Sequence, residues 1–404
     1  MKKILLITLI LFAFTAQSQF YYTSDANPIF TQVSFLNFYP DARGVGLGNT
    51  GVATSPDANS MFWNPAKLAF IEQSGYSDLG FTGSFNPDYV DLEKRFNSYA
   101  SAYKTIGRQT IASSYKFHKS GEIMLTDNYG NVIGAMNPMD YSIDVSYAYR
   151  FTKGFSAALT FRYIYSRLFS KDIYIQGIKT QPGRSYAGDV SVFYTKKLPI
   201  SSLEKCSLNL GLNISNIGSK MSYQKQYDDT YFIPTNLRLG TSFNIEQNDH
   251  KASFSFDLNK LLVPTNPVYA MDSTGFPLYE NGEPVISEGK DPNVSVGKGM
   301  IQSFYDAPNG FKEEMQEIHF GLGLEYWYKK RAAFRTGYYY DHIYKGNRQL
   351  YNVGTGFRYQ FFELDFTYSF VLNKNQAEFY RKYNQSSWFV SLILHFNTKT
   401  KQSG

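Results

Sequence analysis

Cysteine is almost missing from this chain. Cys206 is the only one in 404 residues, so no disulfide can form within it and burial and hydrogen bonding must hold the fold. Histidine is nearly as scarce, and His118, His250, His319, His342 and His395 are scattered with no metal-ligand spacing. Neither a zinc signature nor a nucleophile elbow occurs, which leaves no catalytic or metal-binding residue to name and no cofactor to expect. Beyond Ser18, no apolar run reaches the ~18 residues of a membrane-crossing helix. An excess of one charge is missing too. The formal charge of +6 falls to +4 once Lys2 and Lys3 are set aside, too small and too dispersed for a nucleic-acid partner.

Aromatic rings are abundant. They make up 18% of the chain, with 34 Tyr and 34 Phe, although the mean hydropathy is −0.35. Tyrosine joins an apolar ring to a polar tip and so suits a membrane–water boundary. Residues 1–18 read as a secretory signal, with Lys2 and Lys3 basic, Ile4 to Phe14 apolar, and Ala16-Gln17-Ser18 a small-x-small cleavage site. A secreted chain rich in Tyr, Phe, Gly and Asn but without membrane helices points to a transmembrane β-barrel, with a large soluble all-β protein as the competing class.

Strand length separates the two. From Gly75 onward side chains alternate with a period of two: Tyr141, Ile143, Val145, Tyr147 and Tyr149 against Ser142, Asp144, Ser146 and Ala148, and Ile318, Phe320, Leu322, Leu324 and Tyr326 against His319 and Glu325. Such runs extend ~10 residues or more, enough to cross a bilayer when tilted. The pattern predicts an all-β fold, a fourteen-stranded antiparallel transmembrane barrel over 75–397 with a C-terminal tail at 398–404. Short connections alternate with long or medium ones (87–94, 120–138, 169–184, 218–232, 262–316, 343–349 and 372–386), which predicts long loops outside the cell and both termini in the periplasm. Asp144, Asp189, Glu325, Asp341, Glu363 and Asp365 fall at or near inward positions, where they and Arg150, Arg162, Arg335 and Arg358 would form a polar lumen network.

Ahead of the strands, residues 19–74 read as a compact plug packed inside the barrel. Gly44, Gly46, Gly48 and Gly51 crowd eight positions, followed by the anchors Phe62 and Trp63 and by Asn64-Pro65-Ala66. Gly46 to Gly51 satisfies a dinucleotide-loop spacing, but Pro40 and Pro56 flank it and no strand–helix alternation follows, so that reading fails its context. The loop 262–316 is far longer than structureless connections usually are. Its apolar residues Met300, Ile301, Phe304, Tyr305 and Phe311, with Asp306, mark either a lid packed on its neighbours or a partner-binding surface.

The glycine-rich stretch with Asn64-Pro65-Ala66 resembles the FadL-type outer-membrane transporters. Phe38-Tyr39-Pro40-Asp41-Ala42-Arg43-Gly44, Asn213-Ile214-Ser215-Asn216-Ile217-Gly218, Pro234 to Gly240, Asp257 to Thr265 and Ser303 to Pro308 are similar to one branch, the PorV family of the Bacteroidetes type IX secretion system. That resemblance implies a FadL-like barrel in the outer membrane, among its lipid, that is not an enzyme. It also implies three protein partners: the C-terminal signal domains of secreted cargo, the SprA translocon barrel and a PorU-like surface attachment complex. Transport of fatty acids or other hydrophobic small molecules is the alternative.

Overall fold

Side chains that alternate in character need a different medium on each face of a strand, and here the polar face is the buried one. Along Met139–Arg150, Asp140, Ser142, Asp144, Ser146 and Ala148 are buried, while Ile143, Val145 and Tyr147 are about half exposed. This inversion places lipid outside and a polar interior within.

The computed structural model describes residues 26–397 apart from 75, 78, 91–92, 127–128, 131, 170–173, 176–177, 201–202, 225–229 and 373–385. The signal, the first residues of the plug segment and the C-terminal tail lie outside the described residues. The wall consists of β1 (Leu79–Val90), β2 (Glu93–Ile106), β3 (Gln109–Lys119), β4 (Met139–Arg150), β5 (Phe155–Arg167), β6 (Gly183–Lys197) and β7 (Lys205–Gly218). It continues through β8 (Asn236–Gln247), β9 (His250–Leu261), β10 (His319–Tyr328), β11 (Ala332–Tyr340), β12 (Gln349–Tyr359), β13 (Phe362–Val371) and β14 (Ser387–Phe396). Each strand pairs antiparallel with its sequence neighbour, and β1 pairs with β14 to close the barrel.

Two expectations need correction. The medium loop at 87–94 is largely strand, because backbone pairing of β1 and β2 continues from Asn86↔Asn97 to Val90↔Glu93. Pro87 removes one donor without ending the ladder. The first and last described residues also do not share one side. Asn27 N donates to Tyr344 O at 3.0 Å and Gln32 N to Phe232 O at 2.9 Å, so this segment meets the long loops. Phe396 pairs with Leu79 at the short-turn end. The chain thus enters among the long loops and descends the lumen before β1 begins, a course that loop-length parity cannot detect.

Along that descent lie α1 (Ala42–Gly46), α2 (Ser60–Trp63) and a 3-10 helix (Pro65–Ser74). Near the long loops Val33, Phe35 and Leu36 pack on Ile164, Ala187, Met221 and Ile233. Lower down, Ala66, Ala69 and Phe70 meet Ala148, Ala158 and Phe193, and Met61, Leu68 and Ile71 meet Tyr103, Ala112 and Ile393. The core of this protein is therefore the interface between the plug segment and the wall.

Candidate functional site

Asp41 organises the plug. Its Oδ1 accepts from Gly44 N at 2.8 Å and caps α1, while Oδ2 accepts from the Trp63 indole at 2.6 Å. Gly44 and Gly51 lie against that indole, where a Cβ would overlap the ring, and Gly46 faces Thr367 and Arg335. Gly48 has φ +70° and touches the backbone of Leu322 and Tyr338, so both its conformation and its surroundings exclude a side chain. Asn64 Nδ2 donates to Val52 O and Val192 O at 3.0 Å each, Ala66 N donates to Ser191 at 3.2 Å, and Pro65 opens the 3-10 helix. The turn resembling a dinucleotide loop is thus a plug turn packed on the wall.

The wall answers with polar side chains aimed inward. Asp257 accepts from Gly51 N and Val52 N at 2.7 and 2.9 Å, and Ala42 is held through N by Ser391 and through O by Thr367, at 2.8 and 2.6 Å. Ser101, Asn209, Asn213 and Ser156 donate to backbone carbonyls of Ala58, Ala53, Trp63 and Ala66. Backbone groups sealed away from water need such partners, and these come from strands all round the barrel.

The lumen charges form two networks. Arg162 donates to Asp144 at 2.7 Å, to Asp189 at 3.0 Å and to Asn216. Arg335 pairs with Glu325 at 2.7 Å and with Asp365 and Glu363, and Arg358 pairs with Glu363 at 2.8 Å. Arg43 of the plug, which the sequence reading left out of the network, joins it through Glu325 (2.9 Å, bidentate) and Asp57 (2.7 Å). Arg150 instead lies over the Phe70 ring, and Asp341 pairs at the long-loop end with Arg348 (3.0 Å) and His319 (3.1 Å).

Sequence reading also missed the wall glycines. Gly321 and Gly323 of β10 and Gly337 of β11 lie against the backbone of Leu47 and Gly48, and Gly211 of β7 lies against Val52. Their signal was available: two glycines at inward positions of one strand, 321 and 323, leave a gap that something else must fill.

At the long-loop end, the loop between β9 and β10 is ordered in two halves. Residues 268–288 form two short ribbons, Val268–Tyr269 with Ile286–Glu288 and Tyr279–Glu280 with Glu283–Pro284. Next come α3 (Val296–Gln302) and α4 (Phe311–Gln316), the second fastened by buried ion pairs. Lys260 reaches Glu314 (3.0 Å) and Glu317 (2.6 Å), while Lys345 reaches Glu313 (2.6 Å) and Glu317 (2.9 Å). Of the residues picked from sequence, Ile301, Phe304, Tyr305 and Phe311 are exposed and Met300 is half-buried. Asp306 departs from them. It is 1% exposed and accepts from Thr265 N at 3.2 Å, so it fastens the lid rather than facing a partner. Burial, with Glu314 nearby, pushes its carboxyl up to about 6.

The sequence matches the family model of the type IX secretion system protein PorV over residues 21–268. No curated protein matches it. Among solved structures it is similar to the Ralstonia pickettii toluene transporter TbuX, at 12% identity and TM-score 0.51, over 90% of this chain and 99% of that one. The Pseudomonas putida toluene transporter TodX gives 10%, 0.48, 90% and 100%, and a Pseudomonas aeruginosa FadL homologue 11%, 0.44, 92% and 100%. At such identities the first likeness speaks of the fold alone. The PorV family is not one of enzymes, and it places the barrel in the outer membrane. Because the family match spans the described plug and the first nine strands, more than half of the chain, this chain belongs to the PorV family of type IX secretion system proteins.

Proposed function

We propose that this chain is a non-enzymatic carrier of protein cargo in type IX secretion. It binds the C-terminal signal domains of cargo at its long-loop rim, docks on the SprA translocon barrel and passes cargo to the PorU-like attachment complex. The long loops face outward and the short turns the periplasm. The family match supplies the secretion system. The observation that carries the rest is the lumen, filled by a plug hydrogen-bonded to the wall from Thr82 and Ser101 on β1 and β2 to Thr367 and Ser391 on β13 and β14. A barrel so filled offers recognition at its rim, not passage through its centre.

The transporter alternative would need an apolar route out through the wall. A lateral depression of about 470 Å³ does lie over β8–β11, lined by Phe243, Phe254, Leu324, Tyr326 and Phe334. The strands beneath it are paired throughout, so it is a lipid-facing groove on an unbroken wall. Affinity capture from native outer membranes in mild detergent, read by mass spectrometry, tests the carrier reading. Cargo signal domains and a giant barrel should co-purify with wild type, and Phe304→Ala/Tyr305→Ala should lower their yield severalfold at unchanged barrel abundance, since aromatic truncation at a buried contact commonly costs more than ~1 kcal/mol. Undiminished secretion in that variant, with hydrophobic uptake lost on deleting the chain, would favour the transporter.

A further inference from the structure

The sequence of the lid helices is acidic, yet their outer face is basic. Residues 296–317 contain Asp306, Glu313, Glu314 and Glu317 against Lys298 and Lys312. All four carboxylates turn inward, at 1%, 3%, 6% and 1% exposure. Lys260 and Lys345 neutralise the glutamates, the Asp306 and Ala307 N–H groups donate to Glu314 at 2.8 and 3.0 Å, and Asn27 Nδ2 donates to Glu313 at 3.1 Å. What is left outside is Lys298 and Lys312, both exposed, beside Ile301, Phe304, Tyr305, Phe311 and Met315. Lys298 precedes Ile301 by three residues on α3, and Lys312 precedes Met315 by three on α4, so each cation shares a helix face with an apolar side chain. Lys290 adds a cation 3.7 Å from the centre of the Tyr305 ring. Lys290 is offset by the exposed Glu288 and Asp291 beside it in sequence, so the excess positive charge belongs to the two helices.

We infer that this outer face docks an acidic polypeptide surface bearing exposed apolar side chains. The inference rests on the reading of the rim as the protein-binding end and adds the chemistry of the partner. Apolar side chains supply contact area, while the lysines select sign and speed encounter. A polypeptide suits the face better than anionic lipid because of where the lid is tied. Its bonds run to β9, to the β11–β12 loop and to Asn27 of the segment that enters the lumen, so it straps the barrel mouth and not the lipid-facing side.

The test uses the full-length protein in detergent and two soluble synthetic peptides with identical apolar residues, one with glutamate and the other with lysine at the intervening positions. The glutamate peptide should bind at least about tenfold tighter at low salt, with the gap closing as ionic strength rises. Lys298→Glu/Lys312→Glu should reverse the order, whereas Phe304→Ala/Tyr305→Ala should weaken both peptides alike. Equal binding of the two peptides, or a preference that survives charge reversal, overturns the inference. So does displacement of the glutamate peptide by phosphatidylglycerol vesicles but not by phosphatidylcholine vesicles, which would assign the face to lipid. Because the peptides are not cargo, this outcome is independent of the membrane capture: loss of cargo co-purification with the peptide preference intact would sink the carrier reading alone.

Discussion

Arg43 joins plug to wall through a single guanidinium, and its removal would leave Glu325 and Asp57 buried with that partner gone. Breaking a buried pair from one side commonly costs about 3–5 kcal/mol, so Arg43→Ala should lower the temperature at which the barrel loses its compact, heat-modifiable migration, while Arg43→Lys recovers only part. Asp306 acts on the lid through pH. Its folded value is raised from 3.8 to about 6 by burial and then by Glu314, so the folded lid holds the proton more tightly than the unfolded one does. The cost of its charge is present above about 6 and is relieved as pH falls through 6 toward 4. Burial also pushes His342 down, and its protonation works in the opposite direction, against folding as pH falls. Hydrogen exchange of α3 and α4 at pH 7 and pH 5, compared between wild type and Asp306→Asn, isolates the aspartate: wild type should gain protection relative to the variant on acidification.

At the scale of elements, the lid is a short helical pair that local propensity would not hold in place. Lys345, from the β11–β12 loop, grips both Glu313 and Glu317. Lys345→Ala should release α4 and speed tryptic cleavage at Lys298 and Lys312 several-fold, with the barrel's heat-modifiable migration unchanged. Phe304→Ala/Tyr305→Ala should leave that cleavage rate alone, because those rings face outward. Strands and lid were legible to different degrees. Two-residue alternation revealed the wall because each strand's environment repeats along its length, whereas the lid's inward and outward residues depend on Lys260 and Lys345, dozens of positions away.

For the molecule as a whole, the plug's direction is the feature most open to test. Phe30, 70% exposed near the long loops, and Thr274 of the long loop should react with a membrane-impermeant thiol reagent from the same side when each is changed to Cys. Lys153→Cys, in the β4–β5 turn, should react only from the other side, and Cys206, 4% exposed, should give little background. Labelling of Phe30→Cys together with Lys153→Cys, and apart from Thr274→Cys, would reverse the plug.

By itself the sequence determined a fourteen-stranded barrel, a glycine-rich plug and the loops that are long, because periodicity, glycine density and connection length are local quantities. Tertiary structure decided what depends on residues meeting from far apart. Arg43 reaches a carboxylate on β10, Gly48 sits against the backbone of β10 and β11, and the first described residues lie at the opposite end from Phe396. It decided the sign of the lid's outer face as well, since a carboxylate buried against a lysine contributes nothing to the charge a partner meets.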